Sequence, residues 1–458
     1  MIENWNETDD EFQDETTDSE ATEIETGLRE QLDSTENQRT LAALPDGRAL
    51  VVSGPGAGTA VLERTDHTTF DLPETKWGIA DRNDSLSGSR PVIIVHCPHQ
   101  NRSLTPRLLG SIVASTGGSV NVAASVRLPS ATTASHSDWL NSCAAASLKI
   151  ADPAGYLLDN GIVRVKPMSD RSQKWASHLN ADPLSPKAVL AAQRAVGANL
   201  LLSDGRALDP GSPDKALRKA FDAADDALSE LHQEERLALN LTLPAQWLKN
   251  ADLREKLFAE LIDQEQFDLW HIRVQWPSSL GAFEQPKDSD LLNGYKRLAQ
   301  LAEEEERTLL LPQTGLTGWL QLGFGAAGFG VGATGSLHAF KEEVERRGGS
   351  NQQVPRYFEP SLLHAVERAV HDALRKRPGY VECDCPFCPS LHAAPDWDHK
   401  LASLHHMHWL GRLCKPDGNL SRSVSIRRTV RTAVKAATGQ PLAGKNDPKH
   451  LRVWDHLL

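Results

Sequence analysis

LALNLTLPAQWLKNADLREKLFAELIDQEQFDLWHIRVQWP, residues 237–277, contains one complete strand–helix–strand unit. Both of its ends, LALNLTLP and LWHIRVQWP, are nearly continuous apolar runs, the pattern of strands that are covered on both faces. The middle, ADLREKLFAELIDQ, has the spacing of an amphipathic helix. Because a helix that joins two such strands is typical of a parallel sheet covered by helices, this stretch predicts an α/β fold.

The same rhythm extends in both directions from this unit. Further strands are predicted at AASLKIAD, IVRVKP, ANLLLSD, RTLLLP and either WLQLGFG or FGVGATG, with helices between them such as PKAVLAAQRAVG, DKALRKAFDAADDALSELHQ and DSDLLNGYKRLAQLAEEEE. Six or more units within about 200 residues favour a (β/α)8 barrel over an open, doubly wound sheet. We therefore assign residues 141–355 to a TIM-like barrel.

The flanking segments predict three further parts of the chain. Residues 1–40 form a disordered acidic tail. Residues 41–140 form a β-rich N-terminal region, or the irregular opening of the next domain. Residues 356–458 form a helical, zinc-binding subdomain that ends in a basic helix, SVSIRRTVRTAVKAATG.

The charge of the chain is unevenly distributed. The net charge is −12, and residues 1–37 alone hold fourteen acidic residues and one basic residue. That segment buries too little apolar surface to fold, and the rest of the chain is close to neutral, so a nucleic-acid partner is not excluded. The sequence has no apolar run long enough to span a membrane and begins without a secretory signal, which favours a cytoplasmic protein.

Three of the six cysteines fall within the short motif CDCPFC, residues 383–388. Such clustering is typical of a metal site in a reducing compartment and not of a disulfide framework. Zinc prefers four tetrahedral sulfur or nitrogen ligands, so Cys383, Cys385 and Cys388 leave one position for a histidine of the predicted helix DHKLASLHHMHWLGRL. A closed site of this kind fixes structure and has no open position for catalysis.

This motif resembles the zinc subdomain of the tRNA-guanine transglycosylase family. In that family, Cys-x-Cys-x-x-Cys is followed by a helix with a late histidine, and CDCPFC is similar to the archaeal form. LASLHHMH is similar to the family's leucine-rich turn, which makes His405 the fourth zinc ligand. The interval after Cys388 is shorter than is usual there, so His406 and His408 are alternatives. Weaker similarity extends over about residues 145–410.

The resemblance implies a barrel that exchanges guanine in a nucleic acid for a 7-deazaguanine-type base. In LKIADPAGY, Asp152 takes the place of the family's general acid/base aspartate. In LLLSDGRAL, Asp204 lies one position from the aspartate that recognises the base. Both are candidate catalytic residues, although an aspartate before proline or glycine is also common in turns. We expect such carboxylates at the carboxyl ends of the barrel strands.

The sequence departs from the family where the nucleophilic aspartate is expected. No aspartate occurs between Leu291 and His371, and a glycine-rich stretch replaces the nucleophile strand. Gly325, Gly328 and Gly330 in that stretch are candidate substrate-binding residues, because glycine lets a backbone approach a base or an anion closely. The same glycines equally suit tight packing and turns within a barrel.

Three functions agree with these patterns. The first is an active guanine transglycosylase acting on nucleic acid, with structural zinc. The second is a non-catalytic relative that binds tRNA or DNA, or that forms a homodimer or heterodimer through its zinc subdomain; the basic helix, with Arg427, Arg428 and Arg431, favours it. The third is a barrel enzyme acting on a small ligand, with the tryptophan-rich segments near Trp270, Trp276 and Trp319 lining its pocket.

Overall fold

The computed structural model describes residues 40–43, 49–52, 62–65, 78–97, 102–180, 184–280, 283–332, 338–343, 354–415 and 418–458. By its contacts the chain forms two units, Met1–Thr69 with Pro389–Asp396, and Phe70–Cys388 with Trp397–Leu458. In the first unit, β1 (Thr40–Ala43), β2 (Ala49–Val52) and β3 (Leu62–Thr65) form an antiparallel sheet. The predicted acidic tail lies outside the described residues, except for Thr40.

The second unit contains an eight-stranded parallel sheet whose strands follow one another in chain order. They are β4 (Val92–His96), β5 (Asn121–Arg127), β6 (Leu148–Asp152), β7 (Leu201–Leu202), β8 (Leu237–Pro244), β9 (Leu269–Gln275), β10 (Thr308–Leu311) and β11 (Gly328–Gly332). The first strand, β4, pairs with the last, β11, and a bridge between Ile150 and Leu200 joins β6 to β7. The sheet is therefore nearly closed as a barrel, which confirms the predicted fold class.

The barrel begins well before residue 141, where the sequence analysis placed its start. β4 and β5 belong to the ring, because β4 pairs with β11 on one side and β5 pairs with β6 on the other. Their apolar runs are buried as fully as those of the later strands. Of the two alternatives for this region, the opening of the next domain describes the segment from residue 91 onward.

Helices alternate with the strands and cover the outside of the ring. They are α1 (Ile79–Leu86), α2 (Leu104–Thr116), α3 (Thr133–Ser142), α4 (Asp170–Trp175), α5 (Pro186–Ala195), α6 (Pro213–Ser229), α7 (Gln246–Lys249), α8 (Ala251–Asp263), α9 (Ser289–Glu304) and α10 (Gly315–Gln321). Several begin with a capping side chain; Asn250, for example, accepts a hydrogen bond from the backbone of Leu253 at the start of α8.

Of the two alternatives for the last barrel strand, FGVGATG includes most of β11 and WLQLGFG does not; a separate predicted strand, IVRVKP, is not a strand either. WLQLGFG is mostly helix α10 and a following 3-10 turn, and the strand lies after it, at β11. IVRVKP has no regular structure. Its apolar residues Ile162, Val163 and Val165 pack instead in a small cluster with Tyr156 and Phe340. A short apolar run with strand-like composition therefore covers the barrel and does not enter its sheet.

The barrel interior changes from apolar to polar along the strands. Side chains alternate across a strand, so every second residue faces inward. Val92, Ile94, Leu148 and Ile150 belong to one apolar core cluster towards the amino ends of their strands. The same alternation leads to His96, Asp152, Asn240, Thr242 and Arg273 towards the carboxyl ends, and all of these are buried. The polar end of a barrel of this type is where ligand sites are found.

The region after the barrel is mostly helical, as predicted. It contains a hairpin of β12 (Arg356–Glu359) and β13 (His364–Glu367), followed by α11 (Arg368–Arg375), α12 (Cys388–Ala393), α13 (His399–Cys414), α14 (Arg422–Ala437) and α15 (His450–Leu457). Among the described residues, every helix is too short or too polar to cross a membrane.

Candidate metal centre and barrel mouth

Four potential metal ligands meet between the CDCPFC loop and helix α13. Cys383 and Cys385 lie in the loop, Cys388 begins α12, and His405 lies in the middle of α13. Asp398 caps α13 by accepting hydrogen bonds from the backbone of Lys400 and Leu401, which fixes where the helix starts. The chain thus brings three sulfurs and one imidazole nitrogen to one point.

The geometry of this group fits a single tetrahedral ion. All four ligand atoms lie within 4.8 Å of one another. The Nδ1 atom of His405 is 3.7 Å from the sulfur of Cys383 and 3.3 Å from the sulfurs of Cys385 and Cys388. Zinc bonds of about 2.3 Å to sulfur and about 2.0 Å to nitrogen would place tetrahedral ligand atoms roughly 3.5–3.8 Å apart. The group could therefore hold a metal ion with small adjustments.

The surroundings orient each ligand. The other ring nitrogen of His405 donates to the carbonyl of Phe358 over 2.7 Å, which leaves Nδ1 free to face the sulfurs. The indole of Trp409 donates to the sulfur of Cys383 over 3.1 Å, and the hydroxyl of Tyr357 lies 3.1 Å from the sulfur of Cys388. Hydrogen bonds of this kind stabilise thiolates and hold metal ligands in their orientation.

The two alternative histidines have other environments. His406 packs among aromatic rings, with its ring centroid 4.8 Å from that of His338 and 4.7 Å from that of Phe358. His408 packs edge-on against Phe387 at 6.0 Å. Only His405 joins the three cysteines in a candidate ligand group among the described residues. A metal ion held by all four ligands would have no position open for substrate, as in closed structural sites.

At the barrel mouth, Asp152 forms an ion pair with Arg273. Among the described residues, no other carboxylate forms an ion pair with Arg273. Asp152 ends β6 and Arg273 lies on β9, across the ring, and both side chains are almost completely buried. A second oxygen of Asp152 accepts from the backbone of Ala154 over 2.9 Å. The sequence pointed to Asp152 but not to its cationic partner.

Arg273 is held on several sides. Its guanidinium also donates to Gln313 over 3.2 Å, and its carbon lies 4.8 Å from the ring centroid of Tyr156 and 5.6 Å from that of Phe340. These two aromatic residues come from the segments that follow β6 and β11, and they pack edge-on at 5.0 Å. The planar guanidinium of Arg273 is therefore flanked by two aromatic rings, directly above the polar interior of the barrel.

Asp204 lies at the end of β7, the neighbour of β6, but its side chain has different partners. Its carboxylate accepts from the backbone of Arg206 over 3.3 Å. Burial raises the pKa of Asp204, while the hydrogen bond and charge of Arg206 act in the opposite direction. The backbone of Gly155 donates to the carbonyl of Asp204 over 3.0 Å, which ties the loops after the two strands together. Both candidate aspartates thus lie on adjacent strand ends, as expected for a barrel mouth.

A layer of histidines lies beneath the Asp152–Arg273 pair and was missed by the sequence analysis. Burial, and then the charge of Arg273, lowers the pKa of His96 to about 3. The Nδ1 atom of His271 donates to Asn240 over 2.8 Å, and its Nε2 atom is buried without a hydrogen-bond partner. The spacing of His271, Arg273 and Gln275 in HIRVQ is the alternation of one strand face, which could have predicted this layer.

The three candidate glycines occupy different positions. A Cβ atom on Gly325 would lie 2.6 Å from Cβ of Glu303, and one on Gly328 would lie 2.8 Å from a side-chain carbon of Leu310. Tight packing, one of the two alternatives, accounts for glycine at both positions. Gly330 differs, because a Cβ atom there would lie 2.5 Å from Nε2 of His96, inside the ring. Glycine at this position makes room for the buried imidazole.

The tryptophans proposed to line a pocket are buried in packing contacts. Trp270, Trp276 and Trp319 are at most 1% exposed. Their indoles donate to the backbone of Phe267, to the hydroxyl of Tyr295 and to the backbone of Leu413, respectively. All three indoles are used in buried packing contacts, so they give no support to a tryptophan-lined ligand pocket.

Comparison with known proteins gives no relative, since no family model matches the chain and no curated protein matches its sequence.

Proposed function

We propose that this protein acts on nucleic acid as a transglycosylase-like barrel, exchanging guanine for a 7-deazaguanine-type base. The observation that carries the proposal is Asp152, a buried carboxylate at the mouth of the ring, beside Tyr156 and on the strand next to Asp204. A (β/α)8 barrel followed by a three-cysteine, one-histidine group supports it, as does the resemblance of CDCPFC to the family's motif.

In the proposed reaction, Asp152 is the nucleophile and Asp204 transfers the proton. Because no aspartate stands in the place of the family's nucleophile, Asp152 takes that role here and not the acid/base role that the resemblance implies. One of its oxygens attacks C1′ of the nucleotide as the bond from C1′ to N9 breaks, and the electron pair passes to the leaving guanine. Asp204, whose pKa is raised by burial, gives the leaving base its proton. Asp204 then takes the proton from N9 of the incoming base, which displaces Asp152 from C1′. The guanidinium of Arg273 pairs with the carboxylate that attacks.

The metal in this proposal is zinc, and its role is to fix structure. Three thiolates and one imidazole are the donor set of closed structural zinc sites. Cys383, Cys385, Cys388 and His405 hold the ion and pin the CDCPFC loop to α13. None of the six cysteines, all of which lie within the described residues, forms a disulfide bond, and this also fits a reducing compartment, the cytoplasm.

Base exchange is tested with purified full-length protein and radiolabelled guanine, using tRNA and DNA as separate substrates. Wild type is expected to transfer label to one of them, and Asp152→Asn and Asp204→Asn are expected to lose at least about 100-fold in rate. Asp214→Asn, at an exposed aspartate paired with Lys256, is the matched control and should keep full activity. Absence of transfer by wild type to either nucleic acid contradicts the proposal.

A second candidate function, nucleic-acid binding without catalysis, is favoured by two observations. Tyr156 and Phe340 flank Arg273 at the mouth, so the place of a planar base is taken by a guanidinium. Exposed basic residues of α14, Arg427, Arg431 and Lys435, lie opposite its buried face. The protein would then bind tRNA or DNA, or join a second subunit through the metal-binding region.

Salt dependence separates this candidate from the first. Reversal of Arg427, Arg431 and Lys435 to glutamate is expected to weaken binding to labelled nucleic acid and to reduce the slope of log affinity against log salt by about two to three. The matched control reverses Lys215, Arg218 and Lys219, which are exposed on α6. Equal effects of the two triple variants contradict a role for α14.

A further inference from the structure

A cleft lies between the start of β13 and the last helix, and two buried histidines line it. His364 and His450 are 3% and 2% exposed, and Glu284, Asp447, Lys287 and Lys449 line the same cleft. This cleft is separate from the cysteine group, since none of its lining residues is a ligand there. The proposed function makes no use of it.

Each imidazole has one nitrogen held by the backbone and one without a partner. Nε2 of His364 donates to the carbonyl of Lys445 over 2.9 Å, so its Nδ1 carries the lone pair, and that atom is buried without a hydrogen bond. His450 has a backbone hydrogen bond to Leu363, and its Nε2 is buried without a partner. Two unpartnered acceptors on neutral rings are costly unless something binds them.

The arrangement of the rings suits a shared metal ion. Metal-binding histidines usually donate their other nitrogen to a backbone carbonyl, which fixes the tautomer and aims the lone pair. The two ring centroids are 5.5 Å apart. Nitrogen–metal bonds of about 2.0–2.1 Å would place two imidazole centroids roughly 5 Å apart around one ion.

We propose that His364 and His450 form a second metal site, for a divalent first-row transition ion. Imidazole nitrogens select such ions over Mg²⁺ or Ca²⁺, and the carboxylate of Asp447 lines the same cleft, where its negative charge favours a bound cation. Both lysines of the cleft are exposed residues, so their ammonium groups extend to solvent while the imidazoles form the buried wall. Water completes the coordination shell, which distinguishes this open site from the closed cysteine group.

The test is a titration of zinc-loaded, full-length protein with Ni²⁺, followed by calorimetry and by metal analysis after gel filtration. Wild type is expected to bind one equivalent of Ni²⁺ in addition to its thiolate-bound zinc. His364→Ala and His450→Ala should each weaken Ni²⁺ binding at least about 100-fold while the zinc content stays constant. His232→Ala, at a histidine whose side chain is 72% exposed, is the matched control and should bind Ni²⁺ as wild type does.

Asp447→Asn is a milder variant for the case in which an alanine variant fails to fold. Asp447 is partly exposed, so its amide should leave the fold intact and weaken Ni²⁺ binding about tenfold. The proposal is overturned if wild type binds no Ni²⁺ beyond the amount bound by the double variant His364→Ala/His450→Ala, or if Ni²⁺ binding is the same in wild type and in Asp447→Asn.

Discussion

Arg273 and Asp152 form a buried ion pair that determines the charge at the barrel mouth. The side chains are 1% and 8% exposed, so each charge depends on the other for its solvation. Tyr156 and Phe340 lie on the guanidinium, which couples the loops above the ring to its polar interior. A substrate that reaches Asp152 must therefore either displace the guanidinium of Arg273 or bind to it.

Replacement of Arg273 by methionine should destabilise the protein strongly. The change leaves the buried carboxylate of Asp152 without its cation, which typically costs about 3–5 kcal/mol in the free energy of unfolding. Urea denaturation measures the loss. Arg297→Met is the control, because Arg297 pairs with Glu304 at 3.4 Å on the surface and should lose less than about 1 kcal/mol. If Asp152→Asn/Arg273→Met is no more stable than Arg273→Met, an unpaired carboxylate is not the cause.

Single ligands decide whether the metal centre forms. Cys385→Ser should lower bound metal by one equivalent and reduce the melting temperature, because a closed site binds weakly with three ligands and metal binding contributes to folding. Metal analysis by mass spectrometry and a thermal melt give the two readouts. Cys414→Ser is the control, since Cys414 is a buried cysteine at the end of α13, the helix that carries His405, but lies outside the ligand group. Full metal content in Cys385→Ser would contradict the assignment.

Helices α2 and α13 show how the metal-binding region attaches to the barrel. The hydroxyl of Ser111 on α2 donates to the carbonyl of Leu404 on α13 over 3.1 Å. Gly411 on α13 lies so close to α2 that a Cβ atom there would lie 3.1 Å from the carbonyl of Ile112 and would overlap the hydroxyl of Ser115. The helix that carries His405 is thus fixed on one side by close packing and on the other by the ligand group.

Gly411→Ala should destabilise the protein even though alanine is the better helix former. The helical gain is about 1 kcal/mol, and insertion of a methyl into a tight contact costs about 1–3 kcal/mol, so the net effect is a loss of up to about 2 kcal/mol. Chemical denaturation measures it. Gly161→Ala is the control, because a Cβ atom at that position would meet nothing within 4 Å. An increase in stability for Gly411→Ala would show that the two helices separate readily.

At the scale of the whole molecule, buried neutral histidines link stability to pH. The pKa of His96 falls to about 3 and that of His136 to about 4, in both cases first because of burial and then because of a nearby arginine. In the unfolded chain both residues titrate near 6.5. Between these values the unfolded state binds protons that the folded state does not, so stability is full above about pH 6.5 and decreases as the pH falls.

His96→Asn should make the protein less sensitive to acid. Each buried neutral histidine contributes a slope of up to about 1.4 kcal/mol per pH unit between about pH 6 and pH 4, and the variant removes one such contribution. Urea denaturation at several pH values gives the slope for wild type and variant. His232→Asn, at an exposed histidine, should leave the slope unchanged. Identical slopes for wild type and His96→Asn would show that His96 titrates in the folded protein as it does in the unfolded chain.

Apolar runs and helical spacing were sufficient to predict the barrel. Both patterns can be read from neighbouring residues, and nearly every strand–helix unit of the parallel sheet contains them. They were insufficient for IVRVKP, whose composition fits a strand but whose neighbours form the cluster above the mouth. They also placed the start of the barrel too late, since only the pairing of β4 with β11 shows that residues 92–127 belong to the ring.

The sequence by itself determined the ligand group in outline, because three cysteines within six residues are close together in any fold. It could not choose among His405, His406 and His408, which are neighbours on one helix; the rotation of α13 against the hairpin decided that His405 faces the sulfurs. The Asp152–Arg273 pair joins residues 121 positions apart, and His364 and His450, whose ring centroids lie 5.5 Å apart, likewise come from distant segments. Such contacts depend on how the ring closes and how its appendage packs, which no local pattern encodes.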